Sequence, residues 1–468
     1  MKRYDLRCNL NIPVRVIYTN EEMSHCDTYT KNLSLHGAFL SLKNYLSKGF
    51  WTKLIFKLQD ENVETKGIVL RSEKEGVAVR FKSPDSKLKQ TIFDTIKEHL
   101  PQNNCPFCGM PQLSKHNICS YCGFPLDFYS PFFLEEFEKR LLKVKLEAIY
   151  SHIDKFVKKC DVVDNYKEET IPNEMIMLDL ENDIYTIANL CREIEELGIC
   201  DSDFISKFKM DVFEKTDSVF SKSYFINYAR KWPKGYPGDY KLLELIYRNM
   251  PLSSGIGEIL DKIFLRAKLA EAVRGRLNTM ITLLKREFSA RHDLKVLNIG
   301  CGSCREFIEL TKEIKESKAH ITCVDLDDEA LDFAARRASL LGIDNQVSFR
   351  KYNAIRMVKT ERILKEFGKY DLIYSIGLFD YLSDEIVIGL FQSLYEILNK
   401  QGNLIIAFKD ANAYDPSVYH WIVNWNAFLQ RTPYDIFMLL NKAGITKSQI
   451  TLIREPSGVI TFYMIEKN

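Results

Sequence analysis

At 468 residues and a net charge of +2, the chain is too long for one ordinary core and too nearly neutral for a general affinity for nucleic acid or an anionic membrane. Hydrophobic residues make up 46% and charged residues 27%, which are globular values, and no apolar run approaches the ~18 residues of a membrane span. The N-terminus lacks an apolar signal core, and the 12 cysteines split into four at metal spacing and eight scattered; together these predict a cytoplasmic chain of two to four domains.

Residues 1–100 read as short alternating strands, Val14 to Tyr18, Ala38 to Leu42, Thr52 to Leu58, Thr65 to Arg71 and Gly76 to Phe81, closed by a helix from Lys89 to Leu100. Strands at this spacing predict a small antiparallel β-barrel. Arg3 and Arg7 stand four residues apart before the first strand, and Asn32-Leu33-Ser34-Leu35-His36-Gly37 sits at a strand entry. Guanidiniums stack on purines and donate forks to their edges or to phosphate. Asn32 and Ser34 add hydrogen-bonding groups, and Gly37 permits a tight turn. RxxxR followed by [D/N]xSxxG on such a barrel resembles the PilZ domain family over about the first hundred residues. The resemblance implies cyclic di-GMP binding by Arg3, Arg7, Asn32, Ser34 and Gly37.

Residues 101–128 carry Cys105-Pro-Phe-Cys108-Gly and Cys119-Ser-Tyr-Cys122-Gly. Each pair sits on a tight turn whose glycine takes φ > 0, so that four thiolates converge on a tetrahedral Zn²⁺. The reading is a structural zinc ribbon, with His116 a bystander because four thiolates complete the shell. Residues 129–172 hold one long helix, 131–160, and a polar linker, 161–172. Leu142, Leu146, Ile149, Ile153 and Phe156 form a stripe on that helix. A neighbouring domain is its expected cover, and a homodimer contact is the alternative.

Residues 173–292 are expected to be a helical cap, amphipathic from Met175 to Leu197 and from Ile259 to Phe288. Between those stretches, Lys231 to Tyr240 packs two prolines, two glycines and three aromatics into ten residues. That composition predicts a shaped loop over a substrate pocket, with Tyr236 and Asp239 as candidate site residues.

Residues 293–468 alternate strand and helix, with strands at Lys295 to Ile299, His320 to Asp325, Val347 to Lys351, Tyr370 to Ile376, Asn403 to Lys409 and Val459 to Ile465. This predicts a Rossmann-like α/β sheet with nucleoside binding at the carboxyl ends of its strands. Gly300 and Gly302 follow the first strand, Asp325 ends the second, Asn353-Ala354 follows the third, and Ser375 to Tyr381 follows the fourth. That order resembles class I S-adenosylmethionine-dependent methyltransferases. The resemblance assigns Gly300 and Gly302 to the methionine and ribose side, Asp325 to the ribose hydroxyls, Asn353 and Ala354 to the adenine edge, and Ser375 to the floor. Asn298 stands where that family usually has an acid, and Cys304 where a third glycine is common.

The loop at Gly235 to Tyr240, Ser375 to Asp384, and Tyr419 to Trp425 with Arg431-Thr432 are similar to a narrower group, the methyltransferases that make 3-hydroxypalmitic acid methyl ester. This similarity implies O-methylation of a fatty acid or another small acid. A carboxylate nucleophile needs no general base; if one is needed, Asp380, Tyr381 and His420 are the candidates, and Arg230, Lys231 or Arg431 could pair the substrate acid. The leading expectation is therefore a cyclic di-GMP-responsive methyltransferase. The alternative is a non-catalytic effector using the same scaffold for protein interaction, with Asn298 as its support.

Overall fold

The computed structural model describes every residue except 1–5, 20–22, 43–45, 48, 101–102, 113–116, 166–172, 426–427 and 468. Arg3, His116 and most of the expected linker lie outside the described residues. The chain divides into two compact units, residues 1–219 with 420–422, and residues 220–419 with 423–468. The division falls inside the stretch expected as one helical cap. Among the described residues no helix is long and apolar enough to cross a membrane.

The first unit begins with strands β1 (Arg7–Cys8), β2 (Pro13–Thr19), β3 (Met23–Ser34), β4 (Gly37–Leu40), β5 (Trp51–Leu58), β6 (Glu61–Glu73) and β7 (Gly76–Phe81). They run in the order β1-β3-β2-β5-β6-β7-β4, and a β3–β4 pairing closes six of them into an antiparallel barrel. Alternation explains the closure: Leu54, Phe56 and Leu58 on β5 point inward with Val14 and Val16 of β2 and Val79 and Phe81 of β7. Strand β3 was not among the expected strands. Its sequence, MSHCDTYTKNLS, is polar almost throughout, so the period-2 apolar signal is missing.

Helix α1 (Ser86–Ile96) follows, its first turn capped by Asp85, whose carboxylate accepts from the Leu88 N–H at 2.7 Å. Beyond the cysteine knuckles, α2 (Phe133–Asn165), α3 (Asn173–Glu196) and α4 (Ser202–Phe220) follow. The buried stripe on α2 is Phe133, Phe137, Leu141, Ile149, Ile153 and Phe156. It is covered within the chain: Phe107 and Phe124 of the knuckles pack edge-on against its start, and Lys145 and Lys159 reach Glu193, Asp179 and Asp183 on α3.

The second unit opens with α5 (Tyr224–Lys231), α6 (Tyr240–Arg248), α7 (Ile256–Arg266) and α8 (Lys268–Ala290). It continues as β8 (Lys295–Ile299), α9 (Phe307–Ser317), β9 (His320–Asp325), α10 (Asp328–Leu341), β10 (Val347–Lys351), α11 (Thr360–Phe367), β11 (Tyr370–Ser375), α12 (Asp384–Glu396), β12 (Leu398–Lys409), α13 (Pro433–Lys442), β13 (Ile450–Arg454) and β14 (Ile460–Glu466). The sheet order is β10-β9-β8-β11-β12-β14-β13. Five strands are parallel, while β14 runs antiparallel to β12 and β13 antiparallel to β14. The edge strand β13 went unread because it is mostly solvent-facing. Strand order reverses between β8 and β11, and an open α/β sheet leaves a crevice there at its carboxyl edge.

Candidate functional site

That crevice is a cavity of about 500 Å³. Its base is the turn after β8. Gly300 and Gly302 take φ of 65° and 53°, a conformation that disfavours side chains. A Cβ on Gly300 would stand 3.1 Å from Leu378. Asp325, at the end of β9, fixes the turn: its Oδ2 accepts from the Gly302 N–H at 2.8 Å and its Oδ1 from the Asp327 N–H at 3.0 Å. Burial pushes the Asp325 carboxyl above its usual range, and those N–H donors oppose the shift. Asn353 caps the turn after β10, its Oδ1 accepting from the Ile355 N–H at 3.0 Å. Asn353, Ala354 and Ile355 form another wall.

Asn298 does not reach the cavity. It is wholly buried behind the turn, and its amide donates to Glu306 Oε1 at 3.0 Å. The Tyr374 hydroxyl donates to the same oxygen at 2.9 Å. Glu306 itself reaches the cavity wall, and burial pushes its pKa up to about 7. An acid therefore stands in the cavity wall at the start of α9, held by the Asn298 amide. Sequence reasoning missed Glu306 because its place depends on the turn's path. Cys304 takes φ 48° where a glycine was expected, and Cys301, Cys304 and Cys323 gather with their sulfurs within 4.8 Å of one another.

The loop between α5 and α6 lies over this cavity. Tyr236 donates to Asp327 Oδ2 at 3.3 Å, and Lys234 reaches Glu329 at 2.5 Å. A Cβ on Gly238 would stand 2.7 Å from the Tyr381 hydroxyl and 3.0 Å from the Trp425 ring, so only glycine lets the loop rest there. Tyr381 accepts from Trp425 Nε1 at 2.7 Å. Asp239 is 3% exposed and caps α6, accepting from the Leu242 N–H at 3.0 Å and from the Tyr228 hydroxyl at 2.9 Å.

Other expected site residues are engaged elsewhere. Asp380 is buried against Lys409, Oδ2 to Nζ 2.5 Å, and does not line the cavity. The Ser375 hydroxyl is fully buried at the strand end, below the lining formed by Ile376, Gly377 and Leu378. His420 belongs with the first unit, 3.7 Å from Glu195 and edge-on to Trp421. Desolvation pushes its pKa down to about 4. Arg431 is held by Asp384 at 2.8 Å and by the Phe379 and Leu382 carbonyls. Arg276 on α8, which the sequence did not single out, lines the cavity beside Gly377.

In the first unit, β1 pairs with β3 so that Arg7 lies opposite Ser34, and Ser34 lies opposite Gly37 across the hairpin. The sequence-separated Arg7 and Asn32–Gly37 motifs are therefore brought side by side across β1, β3 and β4. Ser34 donates to the Gly37 carbonyl at 2.9 Å, and Asn32 Oδ1 is buried without a hydrogen-bond partner. Gly37 is needed for approach rather than for a special turn: a Cβ there would stand 2.6 Å from the Val79 carbonyl oxygen. At the knuckles, Gly109 and Gly123 take φ of 73° and 67° and donate to the Cys105 and Cys119 carbonyls, both at 2.8 Å. The Cys105, Cys108, Cys119 and Cys122 sulfurs lie within 4.8 Å of one another. Four thiols so placed fit a tetrahedral ion such as Zn²⁺.

Residues 1–98 match the family model for the PilZ domain, and residues 296–402 match that for a methyltransferase domain. The chain carries both. Among solved structures it is similar to a possible exported protein from Bordetella parapertussis, at 17% identity and a TM-score of 0.41, over 68% of this chain and 96% of that one. It is also similar to magnesium protoporphyrin IX methyltransferase from Synechocystis with SAM bound, at 14% identity and a TM-score of 0.32, over 43% of this chain and 84% of that one. An O-methyltransferase family protein from Burkholderia thailandensis is 15% identical with a TM-score of 0.33, over 43% of this chain and 60% of that one. No curated protein matches the chain. The PilZ domain is the barrel with α1, and the methyltransferase domain runs from β8 into β12.

Proposed function

We propose that the chain is an S-adenosylmethionine-dependent methyltransferase that responds to cyclic di-GMP and O-methylates a carboxylic acid. The observation that carries this reading is the cavity at the switch point with the Gly302–Asp325 hydrogen bond at its base. Asp325 would take the ribose hydroxyls, Asn353 to Ile355 the adenine edge, Gly300 and Gly302 the methionine side, and Glu306 the ammonium. The cofactor supplies an electrophilic methyl group on a sulfonium. The protein's part is alignment and the exclusion of water. Tyr236, Pro237 and Tyr240 wall the cavity from the loop side, and Ile376, Leu378 and Leu382 make it apolar.

What the lining offers supports this acceptor class. Among the described residues no histidine lines the cavity, Asp380 is committed to Lys409, and burial pushes the Tyr381 and Tyr236 hydroxyls upward. A nucleophile that is already anionic suits such a lining, and a fatty acid suits its apolar surface. Cyclic di-GMP would bind at Arg7, Asn32, Ser34 and Gly37, with Arg3 completing the arm. Zinc at the four knuckle thiolates would be structural, because a closed shell leaves no position for substrate. Metal analysis is expected to give about one zinc per chain at this site, and Cys119→Ser to release it and lower the melting temperature.

The test supplies a bacterial lysate with methyl-labelled cofactor and wild-type protein, with and without cyclic di-GMP, and identifies labelled products by mass spectrometry. A labelled ester whose yield changes with cyclic di-GMP is the expected result. Absence of labelled product would sink the enzyme reading, and a yield indifferent to saturating cyclic di-GMP would sink the regulatory one.

A further inference from the structure

We infer that Arg276 is the counter-cation for a ligand carboxylate in the cavity. Its side chain is 4% exposed, and Nε is buried without a hydrogen-bond acceptor. The guanidinium sits under the end of β11, where a Cβ on Gly377 would stand 2.6 Å from Nη1. The Tyr247 hydroxyl is a polar neighbour, and among the described residues no carboxylate stands within ion-pairing distance of the guanidinium.

Other buried cations of this unit each have an acid. Lys409 has Asp380 at 2.5 Å and Arg431 has Asp384 at 2.8 Å. Arg276 is therefore an exception, and the nearby Lys409 charge adds to its cost. A buried, uncompensated guanidinium destabilises the fold, and an arginine does not escape by losing its proton. A ligand anion removes that cost.

The anion is a carboxylate rather than a phosphate. One guanidinium fork matches a planar carboxylate. The other arginine lining the cavity, Arg305, is already 3.5 Å from Glu244, and Glu306 on the same wall opposes a dianion. On the methyltransferase reading, which this inference rests on, two carboxylates qualify: the amino-acid end of the cofactor and the acid group of the acceptor.

Calorimetry on wild type, Arg276→Gln and Arg276→Lys separates them, using S-adenosylhomocysteine, 5′-methylthioadenosine, which lacks the carboxylate, and palmitate in the presence of S-adenosylhomocysteine. If the cofactor supplies the anion, the glutamine variant binds S-adenosylhomocysteine about 30-fold more weakly. The lysine variant then restores most of the loss, and methylthioadenosine binding is unchanged. If the acceptor supplies it, both nucleosides bind as in wild type and palmitate binding falls about tenfold or more. Without ligand the glutamine variant should melt no lower than wild type, since it loses an unpaired buried charge. The inference is overturned if both nucleosides weaken equally. It is also overturned if neither weakens and palmitate binds wild type and variant alike or not at all. Wild-type protein that binds neither nucleoside would remove the methyltransferase reading, and this inference with it.

Discussion

Asp325→Ala is expected to weaken S-adenosylhomocysteine binding about 100-fold or more, with Asp325→Asn intermediate. On the proposed function the carboxylate would do two jobs at once. It accepts the Gly302 and Asp327 N–H groups, which hold the turn and the start of α10 in place, and it retains lone pairs for a ribose diol. A hydrogen bond to a charged acceptor is worth about 1.5–3 kcal/mol, and two of them correspond to at least two decades of affinity. Asparagine keeps one acceptor oxygen but presents a donor to one of the two N–H groups. Calorimetry measures the effect, and the melting temperature in the absence of ligand separates it from collapse of the turn. A variant that binds within threefold of wild type would show that Asp325 only shapes the backbone.

How far the sequence announces this site depends on the kind of signal. Gly300, Gly302, Asp325 and Asn353 are legible because each lies at a strand end, where chain order maps directly onto position. The knuckle cysteines are legible because a four-thiolate site dictates its own spacing. Glu306 and Arg276 are not. Glu306 becomes a cavity residue through the path of a turn that includes Cys304 at positive φ. Arg276 lies on α8, and its lack of an acid partner is visible only when every neighbour is placed. Asp380 and His420 show the converse. They are chemistry-bearing residues in suggestive stretches, but Asp380 pairs with a lysine and His420 sits beside an indole, whereas Asp239 both caps α6 and lines the cavity. Strand β3 was missed because its polar residues give no alternation, although its register brings Arg7 to Ser34.

Glu306 should make both stability and cofactor affinity depend on pH near neutrality. Its folded-state pKa is pushed up to about 7 by burial, from an ordinary value of 4.5. A raised carboxyl favours the folded state fully at pH below the unfolded pKa, and that contribution is lost as pH rises through about 7. At 1.36 kcal/mol per unit, the shift amounts to roughly 3 kcal/mol across this window. Glu306→Gln removes the dependence, so its stability relative to wild type should improve as pH rises from 5 to 8 in chemical denaturation. A bound ammonium favours the charged carboxylate and so expels its proton below pH 7. Affinity for S-adenosylhomocysteine should then climb with pH, by up to about tenfold per unit, and level off above pH 7, while Glu306→Gln stays flat. Asn298→Asp places a second carboxyl where the amide now donates at 3.0 Å. Two buried acids at that distance do not both ionise, so the inflection should move to higher pH with no gain in affinity at neutrality. Wild-type affinity that stays constant from pH 5.5 to 8 would show that the ammonium binds elsewhere, and that the Asn298–Glu306 pair serves only to hold α9 against β8.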